Sequence, residues 1–216
     1  MLGKYKQDFM TGAVLKGVPE DVAKKIFEKM NGHYMFPESH AYAFGVTAYQ
    51  MAWLKFYYPL EFYVAIFNQQ PMGFYSLETL KEDARRHGIN ILNPDINESA
   101  GQCIIQDGSL LLGLNYVREL GMVDAQIIVE TREIDGAFIS IGDVIRRTRL
   151  SEEGIVNLVK AGALDMLCAS RRGGIWEIAL HHRSKGAQMA LPLGIDQDIV
   201  ELPIQTSWEK MTDEYY

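Results

Sequence analysis

Val159-Lys160-Ala161-Gly162-Ala163-Leu164-Asp165 is the stretch from which the rest of the chain is read most directly. A glycine between two apolar runs marks a turn, because glycine alone takes positive φ without a steric penalty. Residues 151–161 before it and 171–183 after it space their apolar side chains at helical intervals. Gly162 therefore joins two helices. Upstream, Val117-Arg118-Glu119-Leu120-Gly121 is a second turn of this kind, followed by helical patterns over Val123–Arg132 and 140–147. Two such turns point to a paired unit of helices.

Further towards the N-terminus the period changes. Ile89-Asn90-Ile91-Leu92 reads as a short strand. Gln102–Gln106 and Ser109–Leu112 flank Asp107-Gly108, which is a hairpin signal. Before them the pattern is helical: 5–16 and 20–30 joined at Gly17-Val18-Pro19, a long helix from Glu38 or Ser39 to about Tyr57, one from Pro59 to Gln69, and one from Leu77 to His87 with Gly88 at its end. The long helix is apolar on nearly all sides (Phe44, Val46, Tyr49, Trp53, Leu54), which predicts that it is well buried. After Gly186 the chain reads as irregular. The fold class is mainly α with a small β hairpin, divided into a helical segment 1–92, a connecting β element 93–113, a helical module 114–185 and a flexible acidic linker 186–216.

Composition removes several function classes. The chain has 216 residues, 48% apolar and 23% charged, an ordinary globular balance. No window reaches about 18 consecutive apolar residues, so no membrane span is expected, and the N-terminus lacks a leader pattern. These features predict a cytoplasmic protein with no membrane partner. Cys103 and Cys168 are far apart and form no metal-binding pair, and they read as buried thiols. The net charge of −7 argues against coating nucleic acid by bulk electrostatics, but it is unevenly spread: −2 over residues 1–109, zero over 110–185 and −5 over 186–216. The middle therefore has room for a local basic face.

Several motifs, in order along the chain, carry a family resemblance. Gly32-His33-Tyr34-Met35-Phe36-Pro37-Glu38-Ser39-His40-Ala41, then Tyr49-Gln50 and Trp53-Leu54-Lys55, resemble the fingers signature of bacterial C-family DNA polymerases, the DNA polymerase III alpha subunits. Tyr58-Pro59-Leu60-Glu61-Phe62, Asp83-Ala84-Arg85-Arg86-His87-Gly88, Pro94-Asp95-Ile96-Asn97-Glu98-Ser99, Lys160-Ala161-Gly162-Ala163-Leu164-Asp165 and Arg171-Arg172 continue the match over nearly the whole chain. Phe36-Pro37-Glu38-Ser39-His40 and Asn68-Gln69-Gln70-Pro71-Met72-Gly73-Phe74-Tyr75 look more like the error-prone paralogue than the replicative subunit, which usually has Lys in place of Glu38. The resemblance implies part of the fingers followed by a helix-hairpin-helix module. It implies a nucleotidyltransferase of DNA replication or error-prone repair synthesis that uses Mg2+ in the full polymerase. The palm carboxylates would lie upstream of the match, so no catalytic residue and no metal ligand is assigned here and the fragment alone is expected to be inactive. A non-catalytic DNA-binding scaffold that recruits a partner is the alternative.

Four groups of residues are then candidates. Ser39 and His40, at a helix start, suit the phosphates of an incoming deoxynucleoside triphosphate, or serve as a helix cap and a core histidine. Lys55 meets an anion or snorkels. Arg118, Gly121, Lys160, Gly162, Arg171 and Arg172 are the candidate contacts to duplex DNA, made without base readout; Arg132, Arg146, Arg147 and Arg149 add to a basic face or pair with the many acids. Helix-hairpin-helix turns usually read Gly-apolar-Gly, and Glu119 stands where the first glycine belongs. Gln188, Met189, Leu191 and Leu193 look like the peptide that bacterial polymerases insert into the sliding clamp, or form a linker packed on its own domain. Asp196-Gln197-Asp198 and His181-His182 are weak metal signals and read as surface groups.

Overall fold

The computed structural model describes residues 2–30, 37–184 and 202–215. Ten helices and a three-stranded sheet occur among them, in two compact units, residues 1–53 and 54–216.

In the first unit, α1 (Leu2–Leu15) and α2 (Glu20–Met30) form a helical pair. Glu20 and Asp21 stand at the positive end of α2, as the sequence suggests. Phe9 and Phe27 meet with ring centroids 5.5 Å apart, and Ala23 is fully buried at the close approach. Helix α3 (Glu38–Tyr57) has the expected bounds, but none of its residues is buried. Tyr42, Phe44 and Tyr49 are 60–76% exposed. Here the expectation of a buried helix is corrected. An apolar surface on every side states that a helix needs cover, and periodicity does not state which segment supplies it.

The second unit begins in the last turn of α3. Helices α4 (Pro59–Asn68) and α5 (Leu77–Arg86) pack on the sheet, whose order is β1 (Ile91–Leu92), β3 (Ser109–Leu111), β2 (Ile104–Gln106). β2 and β3 are an antiparallel hairpin with Ile105 opposite Leu110. Asp107 at φ 48° and Gly108 at φ 72° make the two-residue turn that their sequence announced. β1 runs parallel to β3, Ile91 beside Leu110. Tyr63, Phe67, Leu80, Ala84, Cys103, Leu110 and Leu112 form one core. The Asn68 side chain pairs with the Cys103 backbone in both directions, accepting at 2.8 Å and donating at 2.9 Å, and so extends the ladder onto α4. Residues 54–92 are thus bound to the sheet and share its compact unit, which begins at Leu54. Burial raises the Cys103 thiol to about 11, which keeps it protonated.

A polar knot at 95–99 connects this core to the next. Asp95 accepts from Asn97 N and Glu98 N, Ser99 donates to Leu112 O at 2.8 Å, and Asn97 brackets the Phe138 backbone. Ile96 N donates to Ala163 O at 2.9 Å. Beyond it, α6 (Met122–Asp135), α7 (Ile141–Thr148), α8 (Glu152–Lys160) and α9 (Arg171–Ser184) enclose a second core that includes Leu114, Ile128, Val144, Leu158 and Ile178. Within the stretch read as an irregular linker, Ser207–Tyr215 is a helix, α10. Thr206 and Glu209 form a reciprocal capping box at its start, Glu209 accepting from Thr206 N at 2.8 Å and donating its own N–H to the Thr206 hydroxyl at 3.3 Å.

The last turn of α3 is held by Asp83, which accepts from Lys55 Nζ and from the Tyr63 hydroxyl, both at 2.7 Å. The Lys55 hydrogen bond, then that of Tyr63, holds the Asp83 carboxyl below its ordinary range. A carboxyl depressed in the folded state stabilises above its unfolded pKa of about 3.9, and the contribution is lost as pH falls through the folded value. Urea denaturation should show Asp83→Asn less stable than wild type by about 0.5–1.5 kcal/mol at pH 7. The difference should shrink as pH falls below the unfolded carboxyl value of about 3.9.

Candidate nucleic-acid interface

The first hairpin follows a 3-10 turn at Leu114–Tyr116. Val117 and Leu120 are buried and pin it, while Arg118 and Glu119 are exposed. Glu119 has φ 62°, so the position does require the left-handed conformation that glycine takes most easily. The side chain is nevertheless a carboxylate, and Arg118 Nε lies 4.0 Å from it. Gly121, assigned from sequence to DNA, is the N-cap of α6. Its N–H points to the Asp124 carboxylate at 3.3 Å, so the amide that a phosphate would use already has an anionic acceptor. Two acidic groups at one hairpin oppose a phosphate, and the sequence signal for one of them was the missing glycine.

The second hairpin differs more from its sequence reading. Gly162 has φ 85° and is buried. A Cβ placed on it would lie 2.4 Å from Arg171 Nη2. The missing side chain therefore makes room for an arginine of the same chain. Gly162 N and Ala163 N donate to Val159 O and Leu158 O, closing α8. Arg171 is 4% exposed. It forks onto Asp165 through Nε and Nη2, both 2.8 Å, and donates to Lys160 O at 2.9 Å and to Glu214 Oε1 at 2.9 Å. Gly162 and Arg171, read from sequence as DNA contacts, have polar groups engaged within the chain: Gly162 N on Val159 O, and the Arg171 guanidinium on Asp165, Lys160 O and Glu214. The Asp165 bond leads in keeping the guanidinium charged.

Arg172 and Lys160 are half-buried. Arg172 donates to Glu209 Oε1 at 2.5 Å and to Pro203 O at 3.1 Å. Other cations of the supposed basic face are also spent inside the chain. Arg147 takes the carbonyls of Thr131 at 3.0 Å and Gly136 at 2.7 Å, pairs with Asp143 at 2.9 Å and stacks 4.4 Å from the Phe138 ring centre. Arg132 donates to Ile96 O, and Arg146 pairs with Asp143 at 2.6 Å. Arg149 is exposed at the left-handed C-cap of α7.

Ser39 and His40 lie exposed in the first turn of α3, with the His40 ring 4.4 Å from that of Phe44. Lys55 stands in the last turn, on Asp83 and 5.5 Å from the Tyr63 ring centre. His181 Nε2 is 3.8 Å from Glu177 on the same helix. Gln188, Met189, Leu191, Leu193 and the Asp196–Asp198 pair lie outside the described residues. Among the described residues no group of three or more His, Cys, Asp or Glu side chains is placed to hold a metal, and no helix is long and apolar enough to cross a membrane. The polar residues that sequence reasoning missed are Asn97, Ser99 and Glu209; for Glu209 the spacing Thr206-Ser207-Trp208-Glu209 was the available signal.

Sheet, knot and paired hairpins define a helix-hairpin-helix chain, and residues 88–174 match the family model of the helix-hairpin-helix motif. Comparison with curated proteins narrows this. The chain is 32% identical over 228 residues to an error-prone DNA polymerase of Anaeromyxobacter dehalogenans, covering 99% of this chain and 20% of that protein. It is 33% identical to that of Pseudomonas aeruginosa over 226 residues, 99% and 21%, and 43% identical to that of Corynebacterium efficiens over 166 residues, 76% and 15%. The chain belongs to the error-prone DNA polymerase family and spans about a fifth of the length of these relatives.

Glu119→Gly tests the first hairpin. Removing the carboxylate while keeping the φ should leave stability within about 1 kcal/mol of wild type. Duplex affinity, measured by fluorescence anisotropy, should rise about two- to fivefold, the worth of roughly 0.5–1 kcal/mol for one exposed charge interaction.

Proposed function

We propose that this chain is the part of an error-prone, DNA polymerase III alpha-type enzyme that carries fingers contacts to the incoming deoxynucleoside triphosphate and a helix-hairpin-helix grip on the product duplex. The observation that carries the reading is the near-complete coverage of the chain by error-prone polymerases, with the helix-hairpin-helix match centred on the paired hairpins. The duplex grip is independent of base sequence. It uses cations that retain solvent access, Arg118, Lys160 and Arg172, while Gly162 and Arg171 shape the hairpin behind them. Their attraction to the phosphate backbone is electrostatic and weakens with salt.

At the other end, Ser39 and His40 in the first turn of α3 supply a hydroxyl, an imidazole and the positive end of a helix, which suit a triphosphate. Glu38 beside them weakens the electrostatic hold on phosphate, in keeping with relaxed selection of the nucleotide. Lys55 acts on this reading through Asp83, fixing the last turn of α3 rather than binding phosphate itself. Mg2+ and the carboxylates that hold it belong to the palm of the whole polymerase, so this chain alone does not polymerise. Gln188, Met189, Leu191 and Leu193 are the residues offered to a sliding clamp, and the whole enzyme works in the cytoplasm.

Fluorescence anisotropy of a primer-template duplex titrated with the 216-residue chain tests the duplex grip. Binding at 50 mM salt, weakened severalfold at 200 mM and lost in an Arg118→Glu, Lys160→Glu, Arg172→Glu variant that melts at the wild-type temperature, is the expected result. No binding at 50 mM salt, or binding unaltered in the variant, contradicts it.

A further inference from the structure

The cationic side of the α8–α9 hairpin is already occupied by the chain itself. Helix α10 packs against α8 and carries Glu209, Asp213 and Glu214 against a single cation, Lys210. Two of its carboxylates reach the two arginines that open α9. Glu214 shares the buried Arg171 with Asp165, and Glu209 takes Arg172 at 2.5 Å. Pro203 O, just before α10, accepts the other end of the Arg172 guanidinium. The two contacts differ in kind. Arg171 keeps Asp165 and Lys160 O whatever α10 does. For Arg172 both partners, Pro203 O and Glu209, lie within residues 203–209, and its side chain is 35% exposed. A carboxylate paired to a guanidinium in this way occupies the donors that a phosphate oxygen would use.

We propose that α10 is a built-in competitor of duplex DNA: Glu209 and the Pro203 carbonyl hold Arg172 in place of a backbone phosphate, and the duplex gains this contact only by displacing them. The inference rests on the duplex-binding reading above and adds a regulatory contact to it. Exchange of one anion for another on Arg172 releases Glu209 to solvent. The full chain therefore binds DNA less tightly than the same chain without the Glu209 charge.

The capping box permits a clean substitution. Glutamine at the third helical position accepts the Thr206 N–H as glutamate does, so Glu209→Gln removes the charge and keeps the cap. Asp213→Asn is the control. It removes an equal charge from the same helix, but the Asp213 carboxylate accepts from Gln205 at 2.7 Å and pairs with neither arginine. Labelled primer-template duplex is titrated with wild type, Glu209→Gln and Asp213→Asn at 50 mM salt, with melting temperatures confirming the fold. The proposal expects Glu209→Gln to bind about two- to fivefold more tightly, as release from an exposed ion pair implies, and Asp213→Asn to change less than half as much. Equal affinity for all three, or an equal gain in both variants, overturns the competition and leaves the duplex-binding reading standing. Absence of binding by all three overturns the duplex-binding reading, and the competition with it.

Discussion

A guanidinium seated where a side chain is missing organises the C-terminal half of this protein. Arg171 occupies the space that a Cβ on Gly162 would fill and satisfies its donors on Asp165, Lys160 O and Glu214. Four segments thereby converge on one charge: the end of α8, the turn after it, the first residue of α9, and α10. A buried arginine left without partners would cost several kcal/mol, so the end of α8, the turn and α9 are held together through Asp165 and Lys160 O, and α10 adds Glu214 to the same charge. Ala163 O, in the same turn, receives Ile96 N and passes the constraint to the polar knot at 95–99. That knot in turn fixes the sheet through Ser99 and Leu112 O.

This arrangement alters how the helix-hairpin-helix module is understood. Glycines in such hairpins invite the expectation of a backbone approaching phosphate. Here one glycine admits an arginine, another caps α6 under Asp124, and a glutamate holds the remaining left-handed position. The duplex contacts proposed for this chain therefore fall to cationic side chains around the hairpins rather than to hairpin amides. Arg147 shows the same economy of charge: an arginine that the sequence offers to a basic face takes carbonyls at the end of α6 and pairs with Asp143 of α7.

Element positions were legible because their causes are local. Pro59 starts a helix, Gly88 follows the end of another, Asp107-Gly108 makes a tight turn, and the predicted bounds of α3 to α9 lie within a few residues of those observed. The site was less legible because its causes are non-local. Nothing near Arg171 in sequence says that Glu214 reaches it, and a count of charges does not distinguish Arg147, committed to carbonyls, from the exposed Arg149. Exposure of α3 is of the same type: its apolar surface is written in Phe44, Tyr49 and Trp53, but the covering surface is not. Helix α10 was missed for a different reason. Its capping box was present at Thr206 and Glu209, and the prolines and acids around it drew the reading towards a linker.

The dependence of the hairpin on its own arginine is measured most directly by a double-mutant cycle of Gly162→Ala and Arg171→Ala, followed by urea denaturation. Gly162→Ala alone should cost about 2–4 kcal/mol, from the clash with Arg171 and from alanine at positive φ. With Arg171 already replaced, its cost should fall to about 1–2 kcal/mol, the residual backbone strain, giving a coupling of about 1 kcal/mol or more. Additive costs, within about 0.5 kcal/mol, would contradict the account by showing that the glycine is not there to receive the arginine.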